Sequence, residues 1–137
     1  MVHATGWLVA HNTALLLDPD GVTWGMEARF ADTQGTFANN LTNMPIWADR
    51  DGARGASQGN VTTAQAGWFV DAVEADLHLA ATATQAIDQV APLTEVSADI
   101  DGDPRAGDAA ADAGADERFE LPPLDYSLFL PAIVDRL

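Results

Sequence analysis

The chain contains no cysteine and no lysine. Without cysteine it cannot form disulfides, use a thiol in catalysis or build a zinc or iron–sulfur site on thiolate ligands. Six arginines oppose 21 acidic residues, and the formal net charge is −15. Nucleic acids and anionic membrane surfaces are bound through clustered positive charge, which is missing here. We therefore expect neither as a partner.

Long apolar runs are missing as well. No stretch approaches the roughly 18 consecutive apolar residues that a membrane-spanning helix needs. The segment Met1–Trp7 has neither the basic region nor the apolar run of a secretory signal. We expect no membrane insertion and no signal peptide in the sequence as written. With 137 residues, 47% of them apolar, the chain can still build one domain core.

Two causes of the acidic, lysine-free composition stay open. A GC-rich genome replaces lysine with arginine, and a high-salt environment favours acidic surfaces with little lysine. Neither cause specifies a reaction, and we interpret the charge as a solvated acidic surface.

The first half of the chain consists of short apolar segments separated by Asn, Gly and Asp. Asp18-Pro19-Asp20-Gly21 is a strong turn signal. Asn12, Asn40 and Asn60 recur at spacings of 28 and 20 residues, about one coil of a parallel β-solenoid. At a corner between strands, Asn tolerates a left-handed backbone and its amide can bond to the Asn stacked next to it. Loop asparagines scattered by chance are the alternative.

The composition divides the chain into three segments: residues 1–70, 71–119 and 120–137. In the second segment we predict an extended piece at Leu77–Leu79 and a turn or short helix at 82–88, followed by an Asp/Gly/Ala-rich loop at 98–117. The third segment is a Pro-punctuated apolar tail, in which Tyr126–Val134 is a candidate docking strand.

A series of motifs in fixed order gives a resemblance to a known family. The motifs are Asn39-Asn40-Leu41-Thr42, Gly59-Asn60-Val61, Trp68-Phe69-Val70-Asp71-Ala72, Asp76-Leu77-His78-Leu79, Ala86-Ile87-Asp88, Asp99-Ile100-Asp101-Gly102-Asp103-Pro104-Arg105 and Asp112-Ala113-Gly114-Ala115-Asp116-Glu117. Over roughly residues 5–119 the series resembles the C-terminal end of secreted bacterial right-handed parallel β-helix proteins. It departs from that pattern at Thr84-Gln85, where the family has Ser-Pro, and at Asp88-Gln89, which no Gly follows.

The resemblance implies an all-β fold: a right-handed parallel β-helix of about three terminal coils, with a C-terminal capping loop and an extended tail. It implies an extracellular or cell-surface location, and polysaccharide or upstream coils as partners. Because Met1 falls inside what should be a coil, the chain looks like the terminal part of a longer protein or a reduced descendant. Its first coil would present an open edge through which it could self-associate.

The resulting functional expectation is a non-catalytic structural or carbohydrate-interaction module. The alternative is a fragment of a polysaccharide lyase or glycoside hydrolase whose main active residues lie upstream, and a third class is a part of a virion or adhesin fibre. We therefore expect no catalytic residue and no firmly bound metal ion in this chain.

Asp99, Asp101 and Asp103 suggest a calcium loop. An EF-hand requires Gly at its sixth position and Glu at its twelfth, where this chain has Pro104 and Ala110. We predict instead a tight Asp-Gly turn whose Asp side chains cap backbone amides. A loose Ca²⁺ site is the alternative.

Arg105 is predicted to pair with Glu117 or Asp112 and to tie the closing loop back to the last coil. The planar guanidinium suits this role because it can bond to a carboxylate in two places.

A polysaccharide lyase needs a cation that neutralises the substrate carboxylate and a base that removes the α-proton. Since lysine is absent, arginine, histidine or tyrosine must serve as the base, and the candidates in the coil region are Arg29, Arg50, Arg54 and His11. Possible metal ligands are Glu27, Asp49 and Asp51. The net charge disfavours acidic polysaccharides unless Ca²⁺ bridges the two molecules.

Each candidate has a structural alternative that we favour. Residues 50–54 are predicted to be a solvated turn with local ion pairs, and His11 a corner or core residue hydrogen-bonded to backbone. His78 is predicted to be structural, and His3 to lie near a frayed end. Trp24, Trp47 and Trp68 recur at coil spacing and are predicted to form a stacked core ladder, with stacking on sugar rings as the alternative.

Overall fold

The computed structural model describes residues 1–18, 20–21, 25–105 and 110–119. These residues form nine strands and one three-residue 3₁₀ helix, so the described chain is all-β, as predicted. They contain no helix that is long and apolar enough to cross a membrane. Trp24 and the tail, including Tyr126–Val134, lie outside the described residues. The strands are β1 (Thr5–Ala10), β2 (Thr13–Ala14), β3 (Met26–Arg29), β4 (Gln34–Ala38), β5 (Leu41–Thr42), β6 (Ile46–Arg50), β7 (Arg54–Gln58), β8 (Phe69–Asp71) and β9 (Asp76–Leu79), and the 3₁₀ helix is Ala66–Trp68.

The first seven strands form three parallel sheets. Sheet I has the order β1-β4-β7, sheet II pairs β2 with β5, and sheet III pairs β3 with β6. Single parallel bridges add Val61 to sheet II and Val2 to sheet III. The chain therefore passes through sheets III, I and II in the same order three times. Each pass is called a repeat below, and residues 2–61 together are called the strand stack.

The repeats differ in length because of one connection. Gln34 pairs with Arg54, 20 positions later, whereas Thr13 pairs with Leu41, 28 positions later. The connection from β2 to β3 takes residues 15–25, while that from β5 to β6 takes residues 43–45. The difference, 11 − 3 = 8 residues, equals the difference between the two pairing distances. The other differences are one-residue register shifts, between Thr5 and Trp7 in β1 and between Glu27 and Arg29 in β3.

An asparagine ladder links the repeats at the corner between sheets I and II. The backbone N–H and the side-chain amide of Asn12 both donate to Asn40 Oδ1, at 3.0 and 2.9 Å. Asn40 donates to Asn60 Oδ1 in the same way, at 2.9 and 2.8 Å. The predicted stacking of these three residues is confirmed.

At this corner, the residue before each ladder asparagine adopts the left-handed backbone conformation, and the ladder asparagine itself does not. His11, Asn39 and Gly59 have φ values of 51°, 54° and 61°. The prediction that one asparagine both turns the chain and forms the ladder is therefore wrong. The residue at positive φ makes the bend, and the next residue keeps its N–H directed at the neighbouring repeat.

The core of the strand stack lies between sheets I and III. The Trp7 and Phe37 rings pack at a centroid distance of 4.8 Å. Gly35 is required beside them, because a Cβ at this position would lie 2.2 Å from the Trp7 indole. The other members of this cluster are small or aliphatic, namely Val9, Met26, Ala28, Ile46, Ala48 and Ala53.

Residues 66–119, called the cap, follow the strand stack and use different structure. β8 and β9 pair antiparallel, and the predicted extended piece Leu77–Leu79 lies within β9. The predicted turn or short helix at 82–88 consists of turns, and the described part of 98–117 consists of bends and isolated bridges. The cap forms its own core together with Leu41 of sheet II and Ala64 of the connection between stack and cap. The cap residues in this core are Trp68, Phe69, Leu79, Ala83, Ala86, Val90, Ala111 and Ala113.

The cap packs against more than the last repeat. The Gly114 N–H donates to the carbonyl of Asn39, and the Ala115 N–H donates to Thr13 Oγ1 in the first repeat. Gly114 has a φ of +103°, and a Cβ there would lie 2.5 Å from Thr13 Oγ1. The closing loop thus extends along the stack to its first repeat.

The described tryptophans do not form a ladder. Trp47 lies in β6, where its register partner is Glu27 and the Arg50 guanidinium lies 4.8 Å from its ring centroid. Trp68 is buried in the core of the cap. Although Trp47 and Trp68 are 21 residues apart, about one coil, they do not share a sheet, because residue 68 follows the last parallel bridge at Val61.

Candidate functional site

A buried arginine organises the cap. Arg105 is 2% exposed, and its guanidinium donates to Glu117 Oε2 at 3.1 Å, which confirms the predicted pairing. Its contact with Asp112 is to the backbone carbonyl and not to the carboxylate. The remaining acceptors are also backbone carbonyls, those of Ala98, Gly114, Ala115 and Asp116.

Carboxylates in the cap accept the complementary backbone N–H groups. Asp99 Oδ1 accepts from the amides of Asp101 and Asp103, and Asp99 Oδ2 accepts from that of Glu117. Asp112 likewise accepts from the amides of Asp88 and Arg118. The predicted Asp-Gly turn, capped by aspartate, is confirmed.

Burial and hydrogen bonding move the pKa values of these carboxyls in opposite directions. Burial raises the pKa of Asp112 and that of Glu117. Burial alone would also raise the pKa of Asp99, but the amides of Glu117, Asp103 and Asp101 outweigh it and lower that pKa.

One group of potential metal ligands converges in the described part of the chain. It comprises His78, Asp101 and Asp116, each of which offers one atom within 4.8 Å of the other two. His78 Nε2 lies 2.8 Å from Asp101 Oδ2, and His78 Nδ1 bonds to the Asp76 carboxylate. These four residues are called the His78 cluster below.

Three different elements position the cluster. Strand β9 carries Asp76 and His78 two residues apart, so both side chains lie on one side of the strand. The turn capped by Asp99 presents Asp101. The closing loop presents Asp116, whose Oδ2 accepts the Leu79 N–H at 2.6 Å.

The imidazole of His78 lies in a strongly negative environment. Its hydrogen bond with Asp76, and then that with Asp101, raise the pKa of His78 to about 9. The same bond lowers the pKa of Asp76. A basic imidazole held among carboxylates can either form ion pairs or exchange its proton for a metal ion.

Only part of this cluster could be predicted from the sequence. The Asp76-x-His78 alternation within a strand is the signal for their pairing. No spacing relates His78 to Asp101 and Asp116, because turns of the cap bring them together. Asp99 and Asp101 are engaged in different contacts, with backbone amides and with His78. The loose Ca²⁺ site proposed for Asp99, Asp101 and Asp103 stays a prediction.

The charged candidates of the strand stack are paired with one another. Arg29 Nε lies 2.6 Å from Asp51 Oδ2, and the Arg50 guanidinium bonds to Glu27. The prediction of local ion pairs within residues 50–54 is wrong, because each pair spans two repeats. Parallel stacking places residues about one repeat apart side by side, and these are the partners within reach.

The remaining candidates lie apart from these pairs. Arg54 and Asp49 are exposed. His11 is 5% exposed, and its Nε2 lies 3.1 Å from the Asn39 side-chain amide, whereas its Nδ1 has no hydrogen-bond partner in the described residues. The prediction of a buried corner residue hydrogen-bonded to backbone is confirmed, since the His11 N–H donates to the carbonyl of Ala38 at 3.1 Å and the backbone of Gly114 and Asp112 also contacts the ring. His3 is held by stacking on Phe30 at 5.0 Å and by Asp32 at 2.9 Å.

Burial also dominates the titration of His11. It lowers the pKa of His11 to about 4, the positive charge of Arg105 adds to this effect, and the backbone of Gly114 and Asp112 partly opposes it. His11 is therefore a neutral residue between the stack and the cap, and not a base poised near neutral pH.

A shallow groove of about 650 Å³ runs over sheet I. Polar side chains from two neighbouring strands and from the loop of Glu95 line it, namely Gln34, Thr36, Arg54 and Glu95. Trp7 also borders the groove, but its ring packs against Phe37.

Comparison with known proteins gives no match to this chain among family models, curated proteins or solved structures.

Proposed function

We propose that this chain is the terminal part of a right-handed parallel β-helix and acts as a non-catalytic structural module of an extracellular protein. The observation that carries the proposal is the ladder of Asn12, Asn40 and Asn60, which joins three repeats at one corner. The three sheets are visited in the same order in each repeat, as in the coils of a solenoid. Parallel crossover connections are nearly always right-handed, which supports that hand here.

Sheet I has two edge strands, β1 in the first repeat and β7 in the last, and β7 also pairs only with β4 in the described residues. We propose the edge of the first repeat as the contact surface. β1 lies at one edge of sheet I and pairs only with β4 in the described residues, and Val2 and Leu8 are exposed near it. An unpaired parallel edge favours the addition of another strand. The partner would be a preceding coil or a second copy of the chain. Sedimentation velocity with increasing protein concentration tests the second of these.

The experiment that tests the non-catalytic function is incubation with a panel of uronic-acid polysaccharides, with and without Ca²⁺. We expect a folded, β-rich protein that releases no unsaturated sugar. The ion pairs of Arg29 and Arg50 support this expectation, because a lyase needs free cationic groups at the substrate carboxylate. Release of unsaturated product would overturn it in favour of the lyase alternative.

A crystal structure tests the fold itself. We expect right-handed coils in which Asn12, Asn40 and Asn60 remain stacked. A sandwich of antiparallel sheets, or left-handed coils, would contradict the proposal.

The groove on sheet I supports a contact with neutral carbohydrate as the second candidate function. Gln34, Thr36, Arg54 and Glu95 supply hydrogen-bond donors and acceptors along it. Affinity electrophoresis in neutral polysaccharide gels tests this function. We expect retardation that Gln34→Ala abolishes and Gln58→Ala, an exposed change on β7, leaves intact. Equal mobility with and without polysaccharide would exclude the contact.

A further inference from the structure

We propose that His78, Asp101 and Asp116 bind a divalent first-row transition metal ion, with Zn²⁺ as the representative, at the surface of the cap. The potential ligand atoms lie within 4.8 Å of one another. An ion with bonds of about 2.0–2.2 Å brings its ligands to about 3–4 Å from one another. Small side-chain rotations are therefore enough to form the site.

The orientation of the imidazole suits metal binding. Asp76 bonds to Nδ1, and Nε2 is the nitrogen that faces Asp101. Histidine ligands of metal ions commonly donate their other ring N–H to a carboxylate, which fixes the tautomer and makes the ligand nitrogen more basic. Asp76 occupies the position of that supporting carboxylate.

Asp116 supplies an independent reason to expect a cation. It is 7% exposed, and among the described residues the Leu79 N–H is the one donor that hydrogen bonds to its carboxylate. A carboxylate can accept about four hydrogen bonds, so the described residues leave most of the acceptor capacity of Asp116 unused. A metal ion at this position would use the acceptor capacity that Leu79 leaves open.

The donor set selects the class of ion. Ca²⁺ and Mg²⁺ prefer oxygen ligands, whereas an imidazole nitrogen beside carboxylates suits Zn²⁺ and related ions. The charges balance, because a neutral imidazole and two carboxylates offset one divalent ion. This site shares Asp101 with the predicted Ca²⁺ loop but replaces Asp99 and Asp103 by His78 and Asp116. Substitutions can therefore distinguish the two sites.

The test is calorimetric titration of the EDTA-treated, dialysed full chain with ZnCl₂, and with CaCl₂ in parallel. We expect one equivalent of Zn²⁺ to bind, and Ca²⁺ to bind more weakly. His78→Gln and Asp101→Asn should each weaken Zn²⁺ binding by more than tenfold. Both side chains are about half exposed (48% and 54%), so these variants should remain folded, as circular dichroism would show.

Asp103→Asn is the matched control. Asp103 lies two residues from Asp101 in the same acidic turn. The Asp103→Asn variant should bind Zn²⁺ with the same affinity as the unmodified chain. The ¹⁵N resonances of the imidazole give a readout without any substitution, since Zn²⁺ should shift Nε2 of His78 most. Asp76→Asn should reduce the affinity by about 10- to 100-fold without removing the site.

Three results would overturn the proposal. One is the absence of stoichiometric Zn²⁺ binding. Another is Zn²⁺ binding that persists in both His78→Gln and Asp101→Asn, which would indicate adsorption to the acidic surface. The third is a preference for Ca²⁺ that Asp103→Asn removes, which would assign the cation to the aspartate turn.

Discussion

The strand stack and the cap satisfy their backbone hydrogen bonds in different ways. In the stack, each repeat offers its N–H and C=O groups to the next repeat, and the asparagine ladder closes the corner where the strands end. In the cap, few strands are present, and charged side chains take over. Regular backbone pairing can repeat indefinitely, whereas the place where it stops needs specific side chains.

The acidic side chains of the cap have a structural role, because they accept hydrogen bonds from the backbone. Asp99, Asp112 and Asp116 accept backbone amides in the cap, and Arg105 donates to five backbone carbonyls and to Glu117. Carboxylates are strong acceptors, so a segment without regular strands can be ordered by them. The cap should therefore depend on single side chains, and the stack on many equivalent backbone bonds.

Replacing the buried arginine is the strongest way to test this difference. Arg105→Ala removes every one of these guanidinium bonds and leaves Glu117 without its cationic partner. We expect a loss of about 3–5 kcal/mol in the free energy of unfolding, measured by urea denaturation. Cleavage within the described parts of 99–117 should also accelerate in limited proteolysis. Arg54→Ala, at an exposed arginine of the stack, should cost less than about 0.5 kcal/mol. Similar losses in both variants would refute the distinction.

His11 lies where the two regions meet and should make their contact sensitive to acid. Its pKa of about 4 means that the unfolded chain takes up this proton near pH 6.5 and the folded chain only near pH 4. The free energy of unfolding should therefore fall by up to about 3 kcal/mol as the pH falls from 6.5 to 4.

Comparing the His11→Gln variant with the unmodified chain separates the contribution of His11 to the acid dependence from that of the carboxyl groups. The raised pKa values of Asp112 and Glu117 act in the opposite direction, because protonation of these buried groups favours the folded state. Urea denaturation at a series of pH values should show a smaller loss in acid for His11→Gln than for the unmodified chain. Parallel curves would contradict the assignment.

The ladder allows a graded test within the stack. Asn40 has a neighbouring asparagine on both sides and is 0% exposed, whereas Asn12 is at the end. Asn40→Ala leaves buried amides and carbonyls unpaired, and we expect a loss of about 2 kcal/mol in the free energy of unfolding. Asn12→Ala should cost about half as much. Equal effects on the urea midpoint would mean that the ladder does not act as a connected unit.

Repetition explains what could be predicted from the sequence. Asn12, Asn40 and Asn60 recur at spacings of 28 and 20 residues, each about one repeat, and this recurrence predicts their stacking, with chance loop asparagines as the alternative. The pairing of Arg105 with Glu117 was predictable for another reason. Both belong to the short motifs that carry the family resemblance, although the acidic loop contains other carboxylates and the sequence leaves Asp112 open as the alternative partner.

Contacts between residues that do not recur at a regular spacing could not be predicted from spacing in the sequence. The ion pairs of Arg29 and Arg50 depend on knowing which strands are neighbours in sheet III, a fact that the local sequence does not encode. The meeting of His78 with Asp101 and Asp116 depends on the path of the turns between them. Likewise, the contact of Ala115 with Thr13 joins residues 102 positions apart.

The smallest predicted effect compares one ion pair in each region. Glu27 and Arg50 are paired at the surface of the stack, with side-chain exposures of 27% and 34%, whereas Arg105 and Glu117 are exposed by 2% and 12%. A double-mutant cycle with Glu27→Gln and Arg50→Gln should give a coupling of about 0.3–1 kcal/mol at low salt. In about 1 M NaCl this coupling should nearly vanish, because charges at the surface are screened. A cycle with Arg105→Gln and Glu117→Gln should give a coupling that salt reduces far less, since the pair is shielded from solvent. If salt weakened both couplings equally, the cap would be as open to water as the stack, and the proposed role of its buried side chains would be wrong.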